Sequence, residues 1–190
     1  MKKFDKVYKH YDKFIELFNL NKMDEIKEIM NLEGDEVILD IGGGTGKLAD
    51  YISKDCRKIY VLDESKGMLS KIKPNKKVIP LLGNALETDF VDKSIDVVIM
   101  SDVLHHIKDQ EGLIDEIHRI LKCNGKLIIL DFEKNHIKIM LLRIFESILF
   151  GKLYFKSGKE VIELVESKFA IKSAKHKGYY FIIKGEKNAR

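Results

Sequence analysis

Val37-Ile38-Leu39-Asp40-Ile41-Gly42-Gly43-Gly44-Thr45-Gly46 is the stretch whose reading decides the fold. Its first half is an apolar run closing on a carboxylate, the pattern of a parallel strand covered on both faces. Its second half, Gly42 to Gly46, is glycine at four of five positions, so the backbone can turn sharply and hold its N–H groups against a ligand. Lys47-Leu48-Ala49-Asp50-Tyr51-Ile52 then reads as the opening of a helix. Strand, glycine turn and helix make the nucleotide-binding unit of an open α/β sheet, with the ligand at the carboxyl end of the strand.

The flanking stretches extend that sheet. Residues 58–63 are again apolar and again end in an acid, and Asp63 lies 17 residues beyond Gly46, near where a doubly wound fold sets an acid against ribose hydroxyls. A carboxylate suits that task because it accepts two hydrogen bonds from a vicinal diol. The other role open to Asp63 is capping the next helix, for which Ser65 is equally suited. Residues 77–82 read as a third strand, placed at an edge or distorted by Pro80. Residues 94–101 read as a fourth and residues 126–132 as a fifth, joined by a helix over 109–121 and a turn at Asn124-Gly125. Residues 4–20 carry one broad apolar helical face, and residues 23–30 a second, short helix. A helix over 157–167 and an antiparallel pair, 169–174 with 178–185, end the sheet.

Composition narrows the function classes. A chain of 190 residues, 45% of them hydrophobic, builds one domain with a sizeable core. The net charge of +4 is scattered without a basic block, so nucleic acid is not expected as a partner; the densest group, Lys2, Lys3, Lys6 and Lys9, fits a solvated helix face. Two distant cysteines, Cys56 and Cys123, indicate neither a disulfide framework nor a zinc site and fit a reducing cytoplasm. Neither a leader-like start nor an apolar run of about 18 residues is present.

Spacing separates the cofactor classes. The dinucleotide fingerprint Gly-x-Gly-x-x-Gly would put its third glycine at Lys47 or Ala49, which disfavours a nicotinamide oxidoreductase. The chain instead has Asp40-x-Gly42-x-Gly44-x-Gly46. With that motif it resembles the class I S-adenosylmethionine-dependent methyltransferases, and with residues 101–107, Ser-Asp-Val-Leu-His-His-Ile, the small-molecule group of the ubiquinone and menaquinone type, methyltransferase type 11. The resemblance implies a Rossmann-like, doubly wound α/β fold whose seven-stranded, mostly parallel sheet ends in an antiparallel hairpin. It implies a single domain over 1–190, with a helical cap over 1–33 and an apolar lid-like insertion over 134–156. It further implies S-adenosyl-L-methionine (SAM) as cofactor, held by Asp40, Gly42, Gly43, Gly44, Gly46, Asp63, Glu64, Met68, Asn84, Ala85, Ser101 and Tyr11.

Some of these positions carry a second reading. Met68 suits the adenine face or the core. Asn84 stands where the group commonly has an acid; it would accept from the adenine amino group without charge, or simply form a turn. Tyr8 and Tyr11, in Phe4-Asp5-x-x-Tyr8-x-x-Tyr11-Asp12, suit the cofactor or the sheet.

The fourth strand's end lacks the Asn/Asp-Pro-Pro-Tyr/Phe of adenine methylation, a nearby nucleophilic cysteine, and the paired glutamates of arginine methylation. His105 and His106 are the imidazoles placed where an acceptor should lie, and are candidates for a general base or for a hydrogen bond that fixes the loop. In an extended chain they would point oppositely, leaving one to face the site. Residues 136–155 are almost continuously apolar, with charges at Lys138, Arg143, Glu146 and Lys152 that oppose a bilayer span. A pocket wall for a hydrophobic acceptor, a peripheral membrane contact, a homodimer interface and a core helix all fit that stretch. The expected activity is methyl transfer from SAM to a small-molecule or lipid-like acceptor; the alternative is a non-catalytic SAM-binding subunit of the same fold.

Overall fold

The computed structural model describes residues 22–189, so the helix expected over 4–20, with Tyr8 and Tyr11, lies outside the described residues. The chain runs α1 (Met23–Met30), β1 (Val37–Ile41), α2 (Lys47–Ile52), β2 (Lys58–Asp63), α3 (Lys66–Leu69), β3 (Val78–Leu82) and β4 (Ile95–Ser101). It continues through α4 (Gln110–Ile120), β5 (Leu121–Phe132), α5 (Ile137–Phe150), α6 (Gly158–Glu166), β6 (Phe169–His176) and β7 (Tyr180–Lys187). The seven strands form one sheet in the order β3-β2-β1-β4-β5-β7-β6. β1 to β5 are mutually parallel, while β7 is antiparallel to both β5 and β6. β1 and β2 lie side by side with Asp40 opposite Val61, as their matched apolar runs predict.

Unbroken apolar strands need cover on both faces, and alternation along each strand divides the core accordingly. Ile38, Val97, Ile99, Ile128, Leu130 and Ile182 face one side, where they meet Ile26, Ile29 and Met30 of α1 and Ala49 and Ile52 of α2. Leu39, Val98, Met100, Leu127, Ile129 and Ile183 face the other, against Leu113, Ile114 and Ile117 of α4 and Val161 and Val165 of α6. Each side chain so buried contributes roughly 1.5–3 kcal/mol, which makes β4, sealed from Val97 to Met100, and β5, sealed from Leu127 to Phe132, the costly strands to disturb.

Pro80 sits in β3, which pairs only with β2, so the edge position read from the proline is the one adopted. Ser157 and Glu160 close a reciprocal capping box at the start of α6. Two boundaries differ from the sequence reading. β5 begins at Leu121, already paired with Ile95, and passes through Asn124-Gly125 before Lys126 meets Val97; the expected turn is a bulge within the strand. α5 stops at Gly151, whose φ of 92° breaks the helix, so residues 152–157 run on without helical structure.

Candidate functional site

The strand order reverses between β1 and β4, and a doubly wound sheet opens its ligand crevice at the carboxyl ends of the strands there. The glycine turn lies at that point. Gly42 donates its N–H to Leu62 O at 2.7 Å, anchoring the turn to β2. With φ at +67° and Val103 packed where its Cβ would stand, Gly42 admits no larger residue. Gly43 lies against the Asp40 carboxylate, and Gly46 is the left-handed residue from which α2 departs.

Asp63 holds the turn from the neighbouring strand. Its Oδ2 accepts Gly44 N–H at 3.0 Å and its Oδ1 accepts Ser65 N–H at 2.7 Å. The helix cap is Ser65, whose Oγ accepts Met68 N–H at 3.1 Å, so the capping role falls to Ser65 and leaves Asp63 at the crevice. Asp40 is 1% exposed, and its Oδ2 has no hydrogen-bond partner. Burial and the charge of Asp63 push the Asp40 carboxyl up to about 7.

Around this centre Met68 is buried, its Cε 3.2 Å from where a Cβ on Gly44 would stand, so it both fills the core and lies over the turn. Glu64 is exposed. Asn84 is exposed too, with its Oδ1 accepting Leu86 N–H at 3.0 Å: the turn-forming reading describes its present bond. Ala85 packs on the α4 side of the core, and the half-buried Ser101 ends β4 opposite Leu130.

Beyond β4 the chain reverses through Asp102, at φ 60°, into a 3-10 turn over Leu104–His106. This corrects the extended geometry expected for the two histidines: the turn brings their rings together, with centroids 4.2 Å apart. His105 is 1% exposed, its Nδ1 is 2.7 Å from Asp131 Oδ1, and its ring stacks on Phe155 at 4.1 Å. Its Nε2 lies 3.4 Å from Glu146 Oε2 and 3.9 Å from Asp102 Oδ1. Burial opposes charge on His105, but Asp131, Glu146 and Asp102 outweigh it and raise the imidazole well above its ordinary range. His106 is driven the other way, to about 2, by burial and by the charge on His105.

A family model described as a methyltransferase domain matches residues 39–129, the span from β1 into β5. The demethylmenaquinone methyltransferase of Bacillus licheniformis is 29% identical to this chain, over 98% of the chain and 88% of that protein. Its Bacillus pumilus counterpart is 31% identical, over 86% and 78% respectively. Among solved structures, a Haloferax volcanii methyltransferase in complex with the Trm112 methyltransferase activator superposes with TM-score 0.86 at 16% identity, covering 100% of this chain and 97% of that one. A SAM-dependent methyltransferase of Thermotoga maritima gives 0.79 at 21%, covering 98% and 99%. The chain belongs to the class I SAM-dependent methyltransferases. Within them it falls in the menaquinone-type group.

For a methyltransferase of this class the crevice chemistry is consistent. SAM carries a sulfonium and an ammonium, and a buried carboxylate with an orphaned oxygen is the complement of such a cation. Backbone N–H groups beside absent side chains suit a flat, polar ligand lying against the chain. Asp131 and Glu146 escaped the sequence reading. Asp131 hid inside an apolar strand, and Glu146 looked like a charge that merely argued against a membrane span.

Proposed function

We propose that the methyltransferase transfers the sulfonium methyl of SAM to a hydrophobic, quinol-like acceptor drawn from a membrane surface. Asp40, Gly42, Gly43, Gly44 and Gly46 hold the methionine end. Asp63 and Glu64 take the ribose, while Met68, Asn84, Ala85 and Ser101 border the adenine. Bound SAM supplies an activated methyl carbon and a neutral leaving thioether, so the protein's task is mainly to align the acceptor with it. The names of the Bacillus relatives support the acceptor class, and the one observation that carries it is the segment after β5.

That segment is fastened over the end of β4: Tyr154 N–H donates to His105 O at 2.7 Å, and Phe155 stacks on the His105 ring. α5 is apolar on two sides. Ile139 and Leu142 are buried, whereas Ile137, Met140, Ile144 and Ile148 are between 50% and 75% exposed. An exposed apolar stripe rimmed by Lys138, Arg143 and Lys152 has the amphipathic chemistry of an interfacial helix. No helix among the described residues is long and apolar enough to cross a membrane.

The test is labelled methyl transfer from SAM to a demethylated quinol presented in anionic vesicles. The expected result is turnover, with Ile144→Glu combined with Ile148→Glu cutting vesicle co-sedimentation at least about tenfold while leaving SAM affinity unchanged. SAM binding with no transfer to quinol-class acceptors would instead favour a cofactor-binding subunit. A concentration-dependent dimer abolished by the same double change would assign the stripe to self-association.

A further inference from the structure

We propose that His105, His106 and Glu146 form a binding site for one divalent transition-metal ion, of the zinc class, at the junction of the β4 loop and α5. The inference stands on the cluster alone and needs neither methyl donor nor acceptor. One ligand atom from each of the three residues lies within 4.8 Å of the others, although Glu146 is 40 residues away from His106 in the chain. His105 and Glu146 are 1% and 2% exposed, and neither His105 Nε2 nor Glu146 Oε2 has a hydrogen-bond partner.

Their separation is the informative quantity. A buried imidazolium bonded to a carboxylate closes to about 2.7–2.9 Å. His105 does so on its other nitrogen, at 2.7 Å from Asp131 Oδ1. On the Glu146 side the gap is 3.4 Å. Two donors each about 2.0–2.2 Å from a tetrahedral ion stand about 3.3–3.6 Å apart, so the gap admits two ligands sharing a metal.

The surrounding groups are those a metal site requires. Asp131 also accepts His105 N–H and Phe132 N–H from the backbone, at 3.1 and 2.7 Å, so it is rigidly held. Its Oδ1 lies 2.7 Å from Nδ1, the outer partner of a carboxylate-histidine-metal arrangement, and a metal ion at Nε2 would displace the proton that the surrounding carboxylates favour there in its absence. Asp102 Oδ1, 3.9 Å from His105 Nε2, is next in reach. Three carboxylates converge here, and the Arg143 guanidinium lies 5.3 Å over the Phe155 ring, which itself stacks on His105. Two imidazoles with one carboxylate suit zinc and iron(II) alike, and zinc is the redox-silent probe.

The experiment strips the full chain with a chelator and titrates it with zinc, alone, against a chromophoric competitor. One equivalent is expected to bind with a dissociation constant below about 1 μM, and cobalt(II) in its place should give the visible bands of a low-coordinate ion. Glu146→Gln should weaken zinc at least about tenfold, and Asp131→Asn, acting through His105, about 10–100-fold. His118→Ala and Cys123→Ser, which remove ligand-type residues outside the cluster, should leave the affinity unchanged. Circular dichroism of Glu146→Gln, a conservative change, establishes that the variant is folded. Zinc binding weaker than about 100 μM by the wild type, or equal binding by wild type and folded Glu146→Gln, would overturn the proposal and leave the cluster an ion pair. Either outcome leaves the methyl-transfer reading standing, because no SAM is present.

Discussion

Asp63→Ala is expected to weaken SAM binding by at least about 100-fold, about 2.7 kcal/mol, in calorimetric titration. Its carboxylate does two things at once. It accepts Gly44 N–H and Ser65 N–H, which fixes the glycine turn against β2, and in the proposed binding mode it takes the ribose hydroxyls. Hydrogen bonds to a charged group are worth about 1.5–3 kcal/mol each, so loss of two backbone anchors together with the proposed ribose contact exceeds the threshold. Ser65→Ala is the control. It removes the Oγ that caps α3 and should lower stability by about 1 kcal/mol while changing SAM affinity less than about threefold. A folded Asp63→Ala protein that binds SAM within threefold of wild type would show that the cofactor is held elsewhere.

The parts of this site that were legible in the sequence are those encoded within single stretches. The run from Val37 to Asp40 and the run from Ile59 to Asp63 each declare a covered strand ending in an acid, and parallel pairing then forces the two acids to one end of the sheet. Pro80 could be placed because a missing N–H is tolerated at an edge. The histidine cluster was beyond reach for the opposite reason. Glu146 meets His105 only because α5 folds back along the sheet and Tyr154 and Phe155 fasten its exit to the β4 loop. No local periodicity records such a closure. Asp131 was masked by its neighbours: within Leu127–Phe132 it reads as one more strand residue, and only the backbone of the 3-10 turn reveals what it holds. The histidine pair departs from the alternating, extended geometry because Asp102 turns the chain through a left-handed residue, a conformation that its residue type does not require.

Asp40 gives the second large effect, and its direction is set by burial. The carboxyl rises from 3.8 to about 7 in the folded protein, because it is buried and faces the charge of Asp63. Between those values the folded chain keeps a proton that the unfolded chain releases, so stability falls as pH rises from about 4 to about 7, and above that the full penalty applies. At 1.36 kcal/mol per tenfold change in acidity, the penalty approaches about 4 kcal/mol. Asp40→Asn cannot ionise. The histidine slopes are common to both proteins, so the wild-type urea midpoint should fall relative to that of the variant from pH 5 to pH 8, leaving the variant the more stable protein at pH 8. SAM reverses the logic, because its sulfonium and ammonium charges favour the ionised carboxylate. Affinity for SAM should accordingly climb by up to about tenfold per pH unit from pH 5 and level off near pH 7 in wild type, with binding taking up no such slope in Asp40→Asn. Identical pH profiles for the two proteins would mean that this carboxylate neither carries the buried charge nor meets the cationic end of the cofactor. If Asp40 meets the cationic end of SAM as proposed, the stability its ionised form costs the protein without ligand is offset when the cation binds.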